Sequence, residues 1–160
     1  YKLIETDPNF ANYIYDHQSD RIILLDFGAT RQYSESFMDS YRLLLTGMLN
    51  DNHQLIATAA EDLGYFSDEI SQEQKEKVLE LFYIACEPLK SNDDYCFASS
   101  DMADRISEKG MALSMQHNYW HTPPIDALFL HRKLGGLFLL ATRLKAKVNL
   151  RSLLEPYVRY

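Results

Sequence analysis

The sequence predicts a mainly α-helical fold with one small β-hairpin near its N-terminus. After about residue 35, apolar side chains recur at the three- and four-residue spacing of helices, and Gly, Pro or polar clusters separate these segments. Before that point, two short β-prone segments flank a polar turn, which is the pattern of a hairpin. A chain of 160 residues with 46% hydrophobic content is sufficient for one domain with its own core.

The hairpin is the first predicted element. Tyr13–Tyr15 would form its first strand, residues 17–20 its turn, and Ile22–Leu24 its returning strand. This pairing would bring together Asn12, just before the first strand, and Asp26, just after the second. Because Mg²⁺ prefers carboxylate and carbonyl oxygens as ligands, we expect a metal site at this end of the hairpin.

Helical periodicity then predicts five helices and a short sixth. They cover about residues 36–48, 55–63, 71–86, 101–117, 126–147 and 152–157. Ser36 and Asp39 occupy capping-box positions on the first helix, and Gly64 would end the second. Residues 90–100 are polar and are expected to form an exposed loop. The pair Gly135-Gly136 predicts that another helix approaches the fifth helix closely, because glycine has no Cβ.

The segment around the hairpin also carries the residues that indicate chemistry. Asp7 is followed five positions later by Asn12, and the returning strand ends in Asp26-Phe27-Gly28. Kinase-like enzymes use this order to hold the metal ions of a nucleotide and to align an acceptor. Each string alone is common in turns, but their order and spacing together favour the functional interpretation.

Three strings extend this likeness to a particular family. They are Glu5–Asn12, Leu25–Arg31 and His131–Gly136. With them, the chain resembles the UbiB family of atypical kinases, also called the aarF-domain kinases, from about Ile4 to the C-terminus. Members of that family support coenzyme Q (ubiquinone) biosynthesis. The resemblance therefore implies a protein-kinase-like C-terminal lobe, with the hairpin carrying the catalytic and metal-binding segments.

The resemblance also implies roles for individual residues and partners. Asp7 would be the catalytic-loop aspartate, and Asn12 and Asp26 would bind Mg²⁺ for ATP. Glu5 occupies a position where the family usually has His or Gln, which bears on the orientation of the catalytic loop. The implied partners are ATP, an isoprenoid-lipid or quinone precursor, and an N-terminal lobe. The implied location is the bacterial cytoplasm or the mitochondrial matrix, peripheral to a membrane.

Several kinase elements are absent from these residues. The chain has no Gly-rich or Ala-rich nucleotide loop and no Val-Ala-x-Lys lysine, and only six residues precede Asp7. We therefore expect residues 1–160 to form a single C-terminal lobe without its N-terminal lobe, and to be inactive alone.

The residues after Asp-Phe-Gly bear on the substrate. Only about residues 29–33 precede the first helix, Ala-Pro-Glu is absent, and Asn9 stands where many protein kinases have a catalytic-loop lysine. These features favour a small-molecule kinase or an ATPase over a protein kinase. A non-catalytic scaffold of a quinone-biosynthesis complex is the alternative. An aminoglycoside-phosphotransferase-like enzyme shares the Asp and Asn spacing but not the longer strings.

Two further sets of charged residues have predicted roles. Asp39 would anchor the catalytic loop by accepting backbone N–H bonds, or would be an ordinary exposed acid near a helix N-terminus. The net charge is −7, which argues against a nucleic-acid partner, but seven of the last thirty residues are Lys or Arg. Lys145, Lys147 and Arg151 would contact anionic lipid headgroups, or basic residues of this segment would neutralise acids of the same lobe.

Overall fold

The computed structural model describes residues 2–116, 119 and 121–158. Within these ranges helices predominate, so the predicted mainly α fold is confirmed. The helices are α1 (Glu35–Leu49), α2 (His53–Asp62), α3 (Gln72–Ala85), α4 (Glu87–Lys90), α5 (Met102–Gln116), α6 (Ile125–Arg143) and α7 (Leu150–Val158). The strands are β1 (Leu3–Glu5), β2 (Tyr13–Asp16), β3 (Arg21–Leu24), β4 (Thr30–Gln32), β5 (Tyr95–Cys96) and β6 (Lys147–Val148).

The predicted hairpin is confirmed, but it is not the only strand pair. In β2 and β3, Tyr13 lies opposite Leu24 and Asp16 lies opposite Arg21. In addition, β1 pairs with β4, and β5 pairs with β6. These strands are two or three residues long and pair across long stretches of chain, so no local pattern indicates them.

The hydrophobic core lies among the helices. Leu44 of α1 packs with Ile56, Ala59 and Ala60 of α2, and these four residues are at most 1% exposed. Helices α3 and α5 complete the cluster, to which α6 contributes Ala127. Apolar burial stabilises this region by roughly 25 cal/mol per Å² removed from water.

Two predictions that involve the surroundings and the end of α6 are wrong. The expected exposed loop at residues 90–100 contains β5 and the buried Phe97, whose ring meets Phe138 of α6 with centroids 5.3 Å apart. The fifth helix ends at Arg143 because Lys145 adopts a positive φ of 52°. The N–H groups of Lys145 and Ala146 then donate to carbonyls of the last turn, which closes the helix before Lys147.

Other helix ends follow local chemistry. Ser34, and not the expected Ser36, caps α1 by accepting the N–H of Phe37. The predicted start of α3 is confirmed as a reciprocal capping box between Ser71 and Gln74. The predicted end of the fourth helix at His117 lies outside the described residues. Among the residues that the structure describes, no helix is long and apolar enough to cross a bilayer.

Candidate active site

The loop that the sequence predicts to be catalytic, residues 6–9, lies between β1 and a short 3₁₀ turn at Phe10–Asn12, and we call it the catalytic loop. The Asn9 side chain accepts the N–H of Ala11 and begins this turn. The turn brings Asn12 back to Asp7, so that Asn12 Nδ2 donates to Asp7 Oδ2 at 3.4 Å. Because the amide nitrogen faces Asp7, Asn12 Oδ1 keeps its lone pairs without a partner among the described residues.

The hairpin places Asp26 beside this loop. The N–H of Leu25 donates to the carbonyl oxygen of Asn12 at 3.0 Å, and Asp26 is the next residue. Asp26 Oδ1 accepts the N–H of Gly28 at 2.8 Å, which leaves Oδ2 without a partner in the described part of the chain. One carboxylate oxygen and one amide oxygen at neighbouring backbone positions fit a hard cation such as Mg²⁺. Metal binding by Asn12 and Asp26 itself stays a prediction.

Thr6 joins the two segments, and sequence reasoning did not identify it. Its side chain is only 2% exposed, and both its N–H and its hydroxyl donate to the carbonyl oxygen of Ala29, at 3.1 and 2.8 Å. Residue 6 directly precedes the catalytic-loop aspartate, and residue 29 directly follows Asp-Phe-Gly. The two hydrogen bonds therefore fix the catalytic loop against the predicted metal-binding segment.

Glu5, the departure from the family pattern, orients the catalytic loop. Its Oε1 accepts the N–H of Asp7, and its Oε2 lies 2.7 Å from Lys133 Nζ of α6. The Glu5 and Lys133 side chains are only 11% and 14% exposed. Burial is the largest single influence and disfavours the ammonium, but the hydrogen bonds and charge interactions with Glu5 and Tyr13 together raise the pKa of Lys133 above its ordinary value.

Two neighbours of Lys133 also contact the catalytic loop. Arg132 Nη2 lies 3.2 Å from Asp7 Oδ1. A Cβ on Gly136 would lie 1.8 Å from the Cβ of Pro8, so only glycine permits this approach. The expected close approach therefore exists, but the partner is the catalytic loop and not another helix. Among the described residues, none has an atom within 4 Å of the position that a Cβ on Gly135 would occupy.

The N-terminal half of α6 also holds the strand after Asp-Phe-Gly. Arg31 of β4 forms an ion pair with Asp126 at 2.6 Å, and its guanidinium lies over the ring of Phe129 at 4.9 Å. These contacts define what we call the α6 contact face. It consists of residues 126, 129, 132, 133 and 136, which recur at helical spacing.

Asp39 does not lie against the catalytic loop, so the predicted anchoring role is a misassignment. Its side chain is 58% exposed and forms an i,i+3 ion pair with Arg42 at 2.7 Å. The backbone N–H of Asp7 instead donates to Glu5. A short-range carboxylate from β1 therefore makes the contact that was expected of α1.

Arg151 is not lipid-facing. Its guanidinium donates to the carbonyl oxygens of Leu49 and Leu89 and pairs with Glu155, because α7 packs against α1 and α4. Lys145 and Lys147 are exposed and make no ion pair with a described residue. The three residues thus do not form one basic surface.

Sequence comparison finds similarity to atypical kinases. Residues 1–60 match the family model described as the ABC1 atypical kinase-like domain. The mitochondrial atypical kinase COQ8B of Rattus norvegicus is 30% identical over 161 residues, which cover 100% of this chain and 30% of that protein. The mitochondrial atypical kinase COQ8 of Saccharomyces cerevisiae is 33% identical over 162 residues, covering 100% of this chain and 32% of that protein.

A third relative has a different name. The probable serine/threonine-protein kinase abkA of Dictyostelium discoideum is 31% identical over 156 residues, covering 93% of this chain and 27% of that protein. The chain thus spans about a third or less of the length of these curated relatives. The matched residues include the predicted catalytic loop, the hairpin and Asp-Phe-Gly, and these similarities support the assignment of the chain to the UbiB family of atypical kinases.

Proposed function

We propose that the protein binds Mg-ATP and uses it to phosphorylate a small molecule or to hydrolyse ATP, in support of coenzyme Q biosynthesis. The observation that carries this proposal is the contact of Asp7 with Asn12, beside which the hairpin delivers Asp26. Membership of a family of atypical kinases, and relatives named as mitochondrial atypical kinases, support it further.

Each residue of the site has a distinct role in this proposal. Asn12 and Asp26 would hold Mg²⁺, which neutralises negative charge on the phosphates. Asp7 would orient the attacking water or hydroxyl and accept its proton. Glu5 and Thr6 would keep the loop in the geometry that this alignment needs.

The acceptor class follows from the segment between Gly28 and α1. Only residues 29–34 lie there, and three of them form β4, which pairs with β1. This segment has little chain with which to dock a peptide, which supports an isoprenoid-lipid or quinone precursor, or water, as acceptor. A mitochondrial matrix location fits the names of the relatives. Contact with an anionic membrane surface would rest on Lys145 and Lys147.

The test is Mg²⁺-dependent ATP binding and turnover by the full-length protein. Asp26→Asn removes one negative ligand and should sharply reduce Mg²⁺-dependent binding. Asp20→Asn is the matched control, because Asp20 is exposed in the turn of the same hairpin and its φ of 54° is one that Asn tolerates. Unchanged Mg²⁺ dependence in Asp26→Asn would contradict the metal site.

The scaffold alternative makes a different prediction. A scaffold would bind Mg-ATP without consuming it, and Asp7→Asn would then leave ATP consumption at the same background as the unmodified protein. An enzyme would lose turnover in Asp7→Asn while it kept nucleotide binding.

A further inference from the structure

Arg132 supplies the catalytic loop with a cation that the loop itself lacks. Between β1 and β2 the chain has no Lys or Arg, and Asn9 stands at the usual lysine position of protein kinases. Arg132 reaches the catalytic-loop aspartate from α6, with its Nη2 atom 3.2 Å from Asp7 Oδ1. The charge therefore comes from a residue 125 positions away in sequence.

Most of the hydrogen-bonding capacity of Arg132 is unused. A guanidinium has five N–H donors, and within the described residues Arg132 uses one of them, on Asp7. Its side chain remains 57% exposed. By contrast, Lys133 is held by Glu5 and Tyr13, and Arg31 is held by Asp126. Arg132 can thus bind an anion without losing its contact with Asp7.

The position of Arg132 is set by its neighbours on the α6 contact face. Lys133 ties the helix to Glu5, and Gly136 admits Pro8 one turn later. These two contacts fix the helix against the catalytic loop on both sides of Asp7. A cation held in place before the substrate arrives stabilises developing charge without reorganisation.

We propose that Arg132 is a catalytic residue that binds the transferred phosphoryl group; this inference rests on the proposed kinase or ATPase function. During transfer, the bond between the γ-phosphorus and the bridging oxygen breaks, and ADP leaves with the electron pair. The oxygen of water or of the acceptor hydroxyl bonds to the phosphorus, and its proton passes to Asp7. Arg132 donates hydrogen bonds to the equatorial oxygens throughout and stays charged.

The experiment compares ATP with ADP in the full-length protein, because only ATP carries the γ-phosphate. Binding of each nucleotide with Mg²⁺ is measured by calorimetry for the unmodified protein, Arg132→Gln and Arg132→Lys. Arg132→Gln should weaken ATP binding about tenfold while ADP binding stays unchanged, and should lower turnover on the order of 10²–10³-fold. Arg132→Lys, which keeps the positive charge, should reduce ATP affinity and turnover less than Arg132→Gln does. Arg21→Gln, an exposed arginine at the turn end of the hairpin, is the matched control and should change neither.

Each outcome decides the matter. If Arg132→Gln leaves the ratio of the ATP and ADP affinities unchanged, whether or not both affinities fall, Arg132 does not bind the γ-phosphate. The proposed function would still stand. Failure of the unmodified protein to bind either nucleotide would overturn both. The ratio of affinities is measured on folded protein, so a loss of stability in Arg132→Gln does not affect it.

Discussion

The catalytic segment and the helical core are stabilised by different forces. In the core, apolar side chains of α1, α2, α3 and α5 exclude water. In residues 2–34, Thr6 and Tyr33 are the buried residues, while Ile22 and Phe27 are 66% and 62% exposed. The segment is held instead by hydrogen bonds within itself and by ion pairs to α6, which join Glu5 to Lys133, Asp7 to Arg132 and Arg31 to Asp126.

This difference means that stability and site geometry are separable. Substitutions in the core should lower the free energy of unfolding of the whole lobe. Substitutions on the α6 contact face should release the catalytic loop while the helices stay packed. Four predictions test this separation, in order of decreasing effect on stability.

Leu44→Ala should have the largest effect on stability. Leu44 is 0% exposed at the centre of the core, and deleting a buried leucine side chain costs about 2–5 kcal/mol. The measurement is urea unfolding followed by circular dichroism. Leu139→Ala is the control, because Leu139 is 59% exposed on α6 and a surface substitution changes stability by about 0.5 kcal/mol or less. Equal losses in the two variants would contradict the placement of the core.

Lys133→Met should cost about 2–3 kcal/mol, somewhat less than the loss of one partner in a fully buried pair. The substitution leaves the Glu5 carboxylate, which is only 11% exposed, without its cation. Hydrogen exchange should accelerate at the Asp7 amide but not in α2. Adding Glu5→Gln should recover part of the loss, since the amide oxygen still accepts the Asp7 N–H. Additive losses in this double-mutant cycle would show that the two side chains are not coupled.

Gly136→Ala and Gly135→Ala should change stability in opposite directions. A Cβ at residue 136 collides with Pro8, so the loop must move at a cost of about 1–3 kcal/mol. A Cβ at residue 135 would meet no atom of the described residues within 4 Å, and Ala should stabilise the helix by about 0.5–1 kcal/mol. Thermal unfolding of the two variants checks this. Destabilisation by Gly135→Ala as large as that by Gly136→Ala would contradict the contact with Pro8.

Asp39→Ala should have the smallest effect, within about 0.5 kcal/mol, because the Asp39–Arg42 pair lies on the surface. Nucleotide binding by the full-length protein should not change. A loss of several-fold in binding would restore the anchoring role that the structure gives to Glu5.

The sequence by itself determined the elements whose signals are local. The hairpin follows from two β-prone segments around a turn, and the helices follow from apolar periodicity. The proximity of Asp7 to Asn12, and of Asn12 to Asp26, follows from the spacing of these residues within the 20 residues from Asp7 to Asp26. The two serines at residues 34 and 36 are equally able to cap a helix, which explains why the cap of α1 was misplaced by two residues.

Only the tertiary structure decided which residues support the site. Lys133 meets Glu5 across 128 positions, and Arg132 meets Asp7 across 125. Tertiary packing likewise determines that Arg151 donates to a backbone carbonyl and that the Asp39 side chain is exposed to solvent. The position of a charged residue in the sequence does not identify its ion-pair partner, because ion pairs form wherever folding brings opposite charges together. The packing of α6 against the catalytic loop therefore determines these partners. No local sequence pattern predicts that packing.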